Sequence, residues 1–247
     1  MGLALLVFAI VAIGSLLQRV SGMGLGLVAG SILNIVMGPI EGILVVNLLA
    51  AINATMTTVI VRKSVDWKKF WLIAPVLVLG AIPGAWLITV VSGPTLQVVV
   101  GTLLLSALAI VTFGVQRIPH AQGRAPAVIA GIIAGFMNTL AGIAGPAITV
   151  YAQVARWPQV PFAATLQPIF IVSGLVSLTV KVASGAGTVA SVTPWVWIFG
   201  ILGMIAGIFI GARASQKIPR STARKISLSV ATLGGVMVLL RVLVGLF

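Results

Sequence analysis

The chain has no cysteine, one histidine and two acidic residues among 247. Without cysteine there are no disulfides, no zinc thiolate sites and no iron–sulfur ligation. One imidazole and two carboxylates, Glu41 and Asp66, cannot assemble a metal site or an acid–base pair. An enzyme is therefore not expected, and neither is a cofactor or a bound metal. Charge of either sign is scarce, at 7% of residues, whereas hydrophobic residues make up 60% and the mean hydropathy is +1.24. Such a chain is too apolar for an ordinary soluble domain and reads as a polytopic membrane protein.

Stretches of about 20 residues without a charge, at 42–61, 70–91 and 94–115, match the length a helix needs to cross the hydrocarbon core. They are apolar on every face, which disfavours a β-barrel, whose strands alternate. The net charge of +13 would suggest nucleic acid as a partner of a soluble protein. No nucleic-acid partner is expected here, because the basic residues gather in short loops: Arg62 to Lys69, Arg117 and Arg124, and Arg213 to Lys225. That pattern marks cytoplasmic loops, and the lipid bilayer with its acidic headgroups is the partner it implies. Residues 1–17 have no preceding basic segment and Arg19 follows them, so they are expected to form the first helix, not a cleaved signal.

Two glycine-rich breaks organise the hydrophobic sequence: Ser21-Gly22-Met23-Gly24-Leu25-Gly26 and Ala141-Gly142-Ile143-Ala144-Gly145-Pro146. Glycine is costly inside a helix and free in a sharp turn, so a membrane helix should stop and restart at each. The expected helices of the first half run over 1–18, 27–37, 40–61, 69–91 and 94–115. The second half repeats this order over 125–140, 147–156, 161–182, 195–212 and from 219 onward. Placing Gly22 against Gly142 sets Asn47 against Gln167 without a gap, and Gly80 and Gly84 have counterparts in Gly203 and Gly207. The organisation expected is a first transmembrane repeat (1–115), a cytoplasmic linker (116–124) and a second repeat (125–247). If all basic loops are cytoplasmic, each half crosses an odd number of times. The halves then lie in opposite orientations whether segments one and two, and six and seven, span fully or form re-entrant hairpins. The fold class expected is an all-α membrane protein of about ten helical segments in two inverted five-segment repeats with broken or re-entrant helices. Inverted repeats are characteristic of secondary transporters, which bind solute near the midplane where broken helices meet.

The glycine-rich stretch before Leu27, Val65-Asp66-Trp67, the second break and Gly211-Ala212-Arg213-Ala214, in this order, resemble the sulfite exporter TauE/SafE family of membrane transporters. The resemblance covers nearly the whole chain. It implies a secondary transporter that moves sulfite, organosulfonates or related small anions, usually outward across a prokaryotic inner membrane. Proton or sodium coupling stays open, and nothing specifies an oligomeric state.

A helix that starts inside the membrane presents unpaired N–H groups and the positive end of its dipole, a ready anion site. Gly22, Gly24 and Gly26 in the first break, and Gly142, Gly145 and Pro146 in the second, are thus candidate substrate-binding residues. Buried amides in hydrocarbon need partners or a wet cavity, which adds Asn47, Asn138, Gln153 and Gln167. Pseudo-symmetry is expected to bring Asn47 and Gln167 together, although structural hydrogen bonding between helices would also explain them. Arg19, just before the first break, is either an anion attractor or a snorkelling arginine. Glu41 is better read as a partner of the helix dipole than as a proton carrier. Lys181 and Arg241 are expected to snorkel at the outer interface, and most of the six tryptophans to form an interfacial belt. The alternatives are a transporter of a metal cation or neutral metabolite, a channel, and a scaffold whose glycines pack dry.

Overall fold

The computed structural model describes residues 1–114 and 123–244. Most of the expected linker, with Arg117 and His120, lies outside these residues. Among the described residues there is no strand. The helices are α1 (Gly2–Ser21), α2 (Leu25–Met37), α3 (Glu41–Val61), α4 (Trp67–Ile73), α5 (Leu77–Val90), α6 (Gly93–Ala109), α7 (Ala125–Ala141), α8 (Gly145–Val154), α9 (Gln159–Ala183), α10 (Pro194–Ala214) and α11 (Arg220–Leu243). A single span, Trp67–Val90, contains both α4 and α5, so the helices make ten segments. Asp66 starts this span by accepting the Lys69 N–H at 3.1 Å, and its carboxylate lies 3.8 Å from the Lys69 ammonium.

Among the described residues, seven segments are long and apolar enough to cross a membrane. The 13 residues of α2 and the 10 of α8 are not. At about 1.5 Å per residue they reach about 20 and 15 Å, against a hydrocarbon core of about 30 Å. Each is a half-helix that doubles back on the helix before it: Leu25 of α2 lies against Gly14 of α1, and α8 packs on α7.

Small residues let backbones meet in lipid, where no hydrophobic drive brings helices together. Along the α1–α10 seam, Gly203 faces the backbone of Phe8, Gly207 that of Ala12, and Gly211 that of Leu16 beside Arg19. Both numbers rise together, so the two helices are parallel. The α5–α7 seam has the same sense, with Gly80 on Ile132 and Phe136, Gly84 on Thr139 and Gly135 on Leu77. By contrast α3 and α9 are antiparallel, since Asn47 meets Ser177 while the backbone of Asp66, just beyond α3, meets Thr165. These pairings put the ends near Asp66, Arg124 and Arg213 on one side of the molecule, the basic face.

Four tryptophans stand on the surface as a belt would have them: Trp67, Trp71, Trp86 and Trp195. Trp157 departs from the expectation. It is buried between Tyr151 and Phe162, with the Lys69 ammonium 4.4 Å from its ring. Arg241 is not a free snorkelling side chain either: its guanidinium donates to the Ile35 carbonyl at 2.6 Å, neutralising the C-terminal end of α2.

Candidate functional site between two helix breaks

Both breaks are built alike. α1 ends at Gly22, whose φ of 84° lies in the left-handed region, and Gly22 N–H donates to the Gln18 carbonyl at 2.8 Å. α7 ends at Gly142 with φ of 71°, and its N–H donates to the Asn138 carbonyl at 2.8 Å. Left-handed residues with a Cβ are strained, which is why glycine stands at both positions. After Gly22, Ser21 Oγ accepts the Met23 N–H at 3.3 Å and fixes the turn. Gly24 then passes so close to the backbone of Gln18, Leu17 and Gly14 that no Cβ would fit.

The breaks touch. A Cβ on Gly26 would lie 2.8 Å from the Gly142 carbonyl oxygen, and one on Gly145 would lie 3.3 Å from Met23 Sδ. The Thr149 hydroxyl, one turn into α8, lies 2.8 Å from the Gly145 carbonyl and 3.3 Å from Met23 Sδ. Between the breaks is a small cavity of about 30 Å³ whose wall includes Gly24, Gly26, Asn47, Asn138, Gly142 and Gly145. No charged side chain lines it. Instead it is reached by the starts of two helices. Among the described residues, the N–H groups of Gly26 and Leu27 in α2, and of Ile143, Ala144 and Gly145 at the second break, have no hydrogen-bond partner. Free amides at helix N-termini carry partial positive charge, so the cavity suits a small anion without a fixed cation.

Buried amides frame it. Asn138 donates from Nδ2 to Asn47 Oδ1 and to the Ser173 carbonyl, both at 3.0 Å, and Asn47 donates to Ser177 Oγ at 2.7 Å. Gln18 holds the opposite wall. Its Oε1 accepts the Leu25 N–H at 3.1 Å, and its Nε2 lies 3.4 Å from Asn53 Oδ1 and 3.5 Å from Gln167 Oε1. Gln167 in turn donates to the Gly22 carbonyl at 3.2 Å. The expected pairing of Asn47 with Gln167 is therefore absent. Each contacts an amide of the helix before a break instead, because α3 and α9 run antiparallel and these two residues sit at different depths.

Gln18 and Gln167 also line a second pocket of about 240 Å³ toward the basic face, together with Gly22, Thr57, Val61 and Arg220. Gln18 borders both spaces and separates them. The remaining candidates lie elsewhere. Pro146 borders an apolar groove with Tyr151, Gln153 joins Arg156 and Arg224 in a separate pocket, and Arg19 packs against Gly211 of α10. Sequence reasoning missed Gln18, Met23, Phe170 and Ser177. An offset of 120 residues, which carries Gly22 to Gly142, also carries Gln18 to Asn138, and that signal was available.

The family model for the sulfite exporter TauE/SafE matches residues 6–238. No curated protein and no solved structure matches the chain.

Proposed function

Because the chain belongs to the sulfite exporter TauE/SafE family of membrane transporters, we propose that it exports a small oxyanion, sulfite or an organosulfonate, by alternating access to the cavity between its helix breaks. The observation that carries this reading is the convergence of two half-helix N-termini, with five unpaired amides, on one cavity free of charged side chains. Dipole and amide binding holds an anion firmly enough to select it, yet without a full counter-charge that would keep it from leaving. A cation would find no carboxylate there. The unpaired amides and the Asn47 and Asn138 side chains at the cavity argue against a scaffold with dry glycine packing.

The chain is, in this reading, two inverted repeats joined at 116–124. The hydrogen bonds support it. Under the offset of 120, Gln18 with Gln167 and Asn53 corresponds to Asn138 with Asn47 and Ser173, and these are the contacts each makes. The seams follow the same rule but move one glycine match. Ala12, Leu16 and Arg19 map to Ile132, Phe136 and Thr139, so the counterparts of Gly80 and Gly84 by contact are Gly207 and Gly211. Gly203 and Gly207, the counterparts expected from sequence, are one helical turn too early.

The barrier toward the basic face is thin. It consists of Gln18 contacts at 3.4 and 3.5 Å, the long end of hydrogen bonding, with Arg220 at the pocket beyond. The barrier on the other side includes the 2.7 Å Asn47–Ser177 bond and the fully buried residues 43–46 of α3 before it. The anion enters from the basic, cytoplasmic side past Gln18, and leaves when the contacts around Asn47 open in turn.

Thermal unfolding of the purified protein and flux in proteoliposomes test this together. Sulfite, and not chloride, should raise the melting temperature by mass action on the folded state. The best variant is Gly145→Leu, because a side chain there points between Met23 Sδ and Phe170 Cζ, at 3.3 and 3.6 Å, and fills the cavity without meeting backbone. It should fold, lose the sulfite-dependent stabilisation and stop transport. Wild-type protein that neither responds to nor moves any small oxyanion, or a Gly145→Leu variant indistinguishable from it, would overturn the proposal.

A further inference from the structure

Lys181 lies two residues from the end of α9, where a lysine would ordinarily extend its ammonium into water. Instead the side chain is 0% exposed and its Nζ has no hydrogen-bond partner among the described residues. The only ion pair among those residues is Lys69–Asp66, so Glu41 at the start of the adjacent α3 does not neutralise Lys181. The guanidinium of Arg241 is occupied by the Ile35 carbonyl. Burying an unpaired ammonium is costly, and packing gives no reason for it, since methionine or leucine would fill similar space without a charge.

The position of Lys181 supplies the reason. Along α9, Phe170 and Gly174 line the central cavity, Ser177 bonds the cavity residue Asn47, and Lys181 follows at the next turn. This spacing of four, three and four residues keeps all of them on one helix face. Lys181 is thus about 10 Å beyond the cavity wall along the axis, away from the basic face. The same offset of 120 residues maps Ser177 and Lys181 to Thr57 and Val61, both of which line the pocket toward the basic face. Lys181 accordingly occupies, on the closed side, the place where the pocket lies on the other. After Gly185, with φ of 71°, the chain turns back: the Ala186 N–H donates to the Lys181 carbonyl at 2.9 Å, and a Cβ on Gly187 would lie 2.7 Å from Ile40 and 3.0 Å from Leu44 of α3.

We infer that Lys181 is a second binding position for the transported oxyanion, uncovered when the cavity opens away from the basic face, where its ammonium draws the anion from the helix breaks toward exit. The inference rests on the anion-export reading. It places a full positive charge on the release side of the central cavity, where it competes with the weaker dipole site for the anion, as Arg220 stands at the pocket on the entry side.

Three variants in proteoliposomes test it. Lys181→Met should cut sulfite flux at least about tenfold, the loss expected when a hydrogen bond to a charged group is removed. It should keep the sulfite-dependent rise in melting temperature that the central cavity provides. Lys181→Arg should retain most of the flux. Since the chain has no other cysteine, Lys181→Cys reports exposure directly. It should react with a membrane-impermeant maleimide applied from the face opposite the basic loops, and faster during sulfite transport. Wild-type flux in Lys181→Met together with a higher melting temperature would overturn the inference in favour of a merely tolerated charge. A Lys181→Cys variant that transports but never reacts would overturn it too. Failure of the parent reading looks different: wild-type protein would show neither stabilisation nor flux, which would sink both.

Discussion

Asn138 joins three helices through one amide: it leaves α7 and donates both hydrogens, one to Asn47 on α3 and one to Ser173 on α9. Replacing it with alanine leaves the Asn47 Oδ1 and the Ser173 carbonyl without this partner at the cavity edge. Interhelical hydrogen bonds in membranes are worth about 0.6 kcal/mol on average, so Asn138→Ala should cost roughly 1 kcal/mol for the two. It should cost far more in transport, because the cavity wall loses its frame; unfolding in detergent and flux measured on the same sample separate these effects. Gln18 makes the converse case. Its side chain lies between the central cavity and the pocket toward the basic face, so Gln18→Ala should join them. A cysteine placed at cavity residue 50 by Ala50→Cys should then react faster with an impermeant reagent added from the basic side. An unchanged rate would mean that the barrier lies elsewhere.

At the level of helices, glycines that look alike in sequence do different work. Gly207 and Gly80 let backbones approach, and a Cβ on either would collide with the Ala12 or Ile132 carbonyl oxygen. Gly207→Leu should force α1 from α10 and prevent stable folding, seen as loss of a monodisperse peak in size-exclusion chromatography. Gly142 is needed for its left-handed φ of 71°, and space is available, since the nearest atom to an added Cβ is Val46 Cγ1 at 3.4 Å. Gly142→Ala should therefore fold with a loss of about 1–2 kcal/mol, the cost of that backbone region for a residue with a Cβ. Gly24 is a poor probe of binding, because its substitution would disrupt α1 before it altered the cavity.

For the molecule as a whole, the basic loops and the helix pairings make one topological prediction. Single cysteines at exposed Ser64 and Ser215 should label from one side of the membrane, and those at exposed Ser92 and Ser191 from the other. Ser64 and Ser92 on the same side would break both the span count and the inverted arrangement. The cysteine-free chain makes this a direct measurement.

Much of this molecule was determined by sequence alone. Apolar runs of spanning length, paired glycine breaks and basic loops dictate ten helical segments, because lipid forces each backbone to satisfy its own hydrogen bonds locally. Both breaks, and Asn47 and Asn138 beside them, were legible because a buried amide or a helix stop is anomalous in such sequence. Tertiary structure alone decided who meets whom. Asn47 bonds Asn138 and Ser177 and not Gln167, Gln18 separates two cavities, and Pro146, Gln153 and Arg19 stand away from the central one. It also decided that Lys181, which from its place near a helix end should snorkel, is enclosed. The physical reason is that hydropathy records how far a residue lies along its own helix, whereas contact depends on the depth and rotation of the neighbouring helix, which only packing of the whole bundle sets.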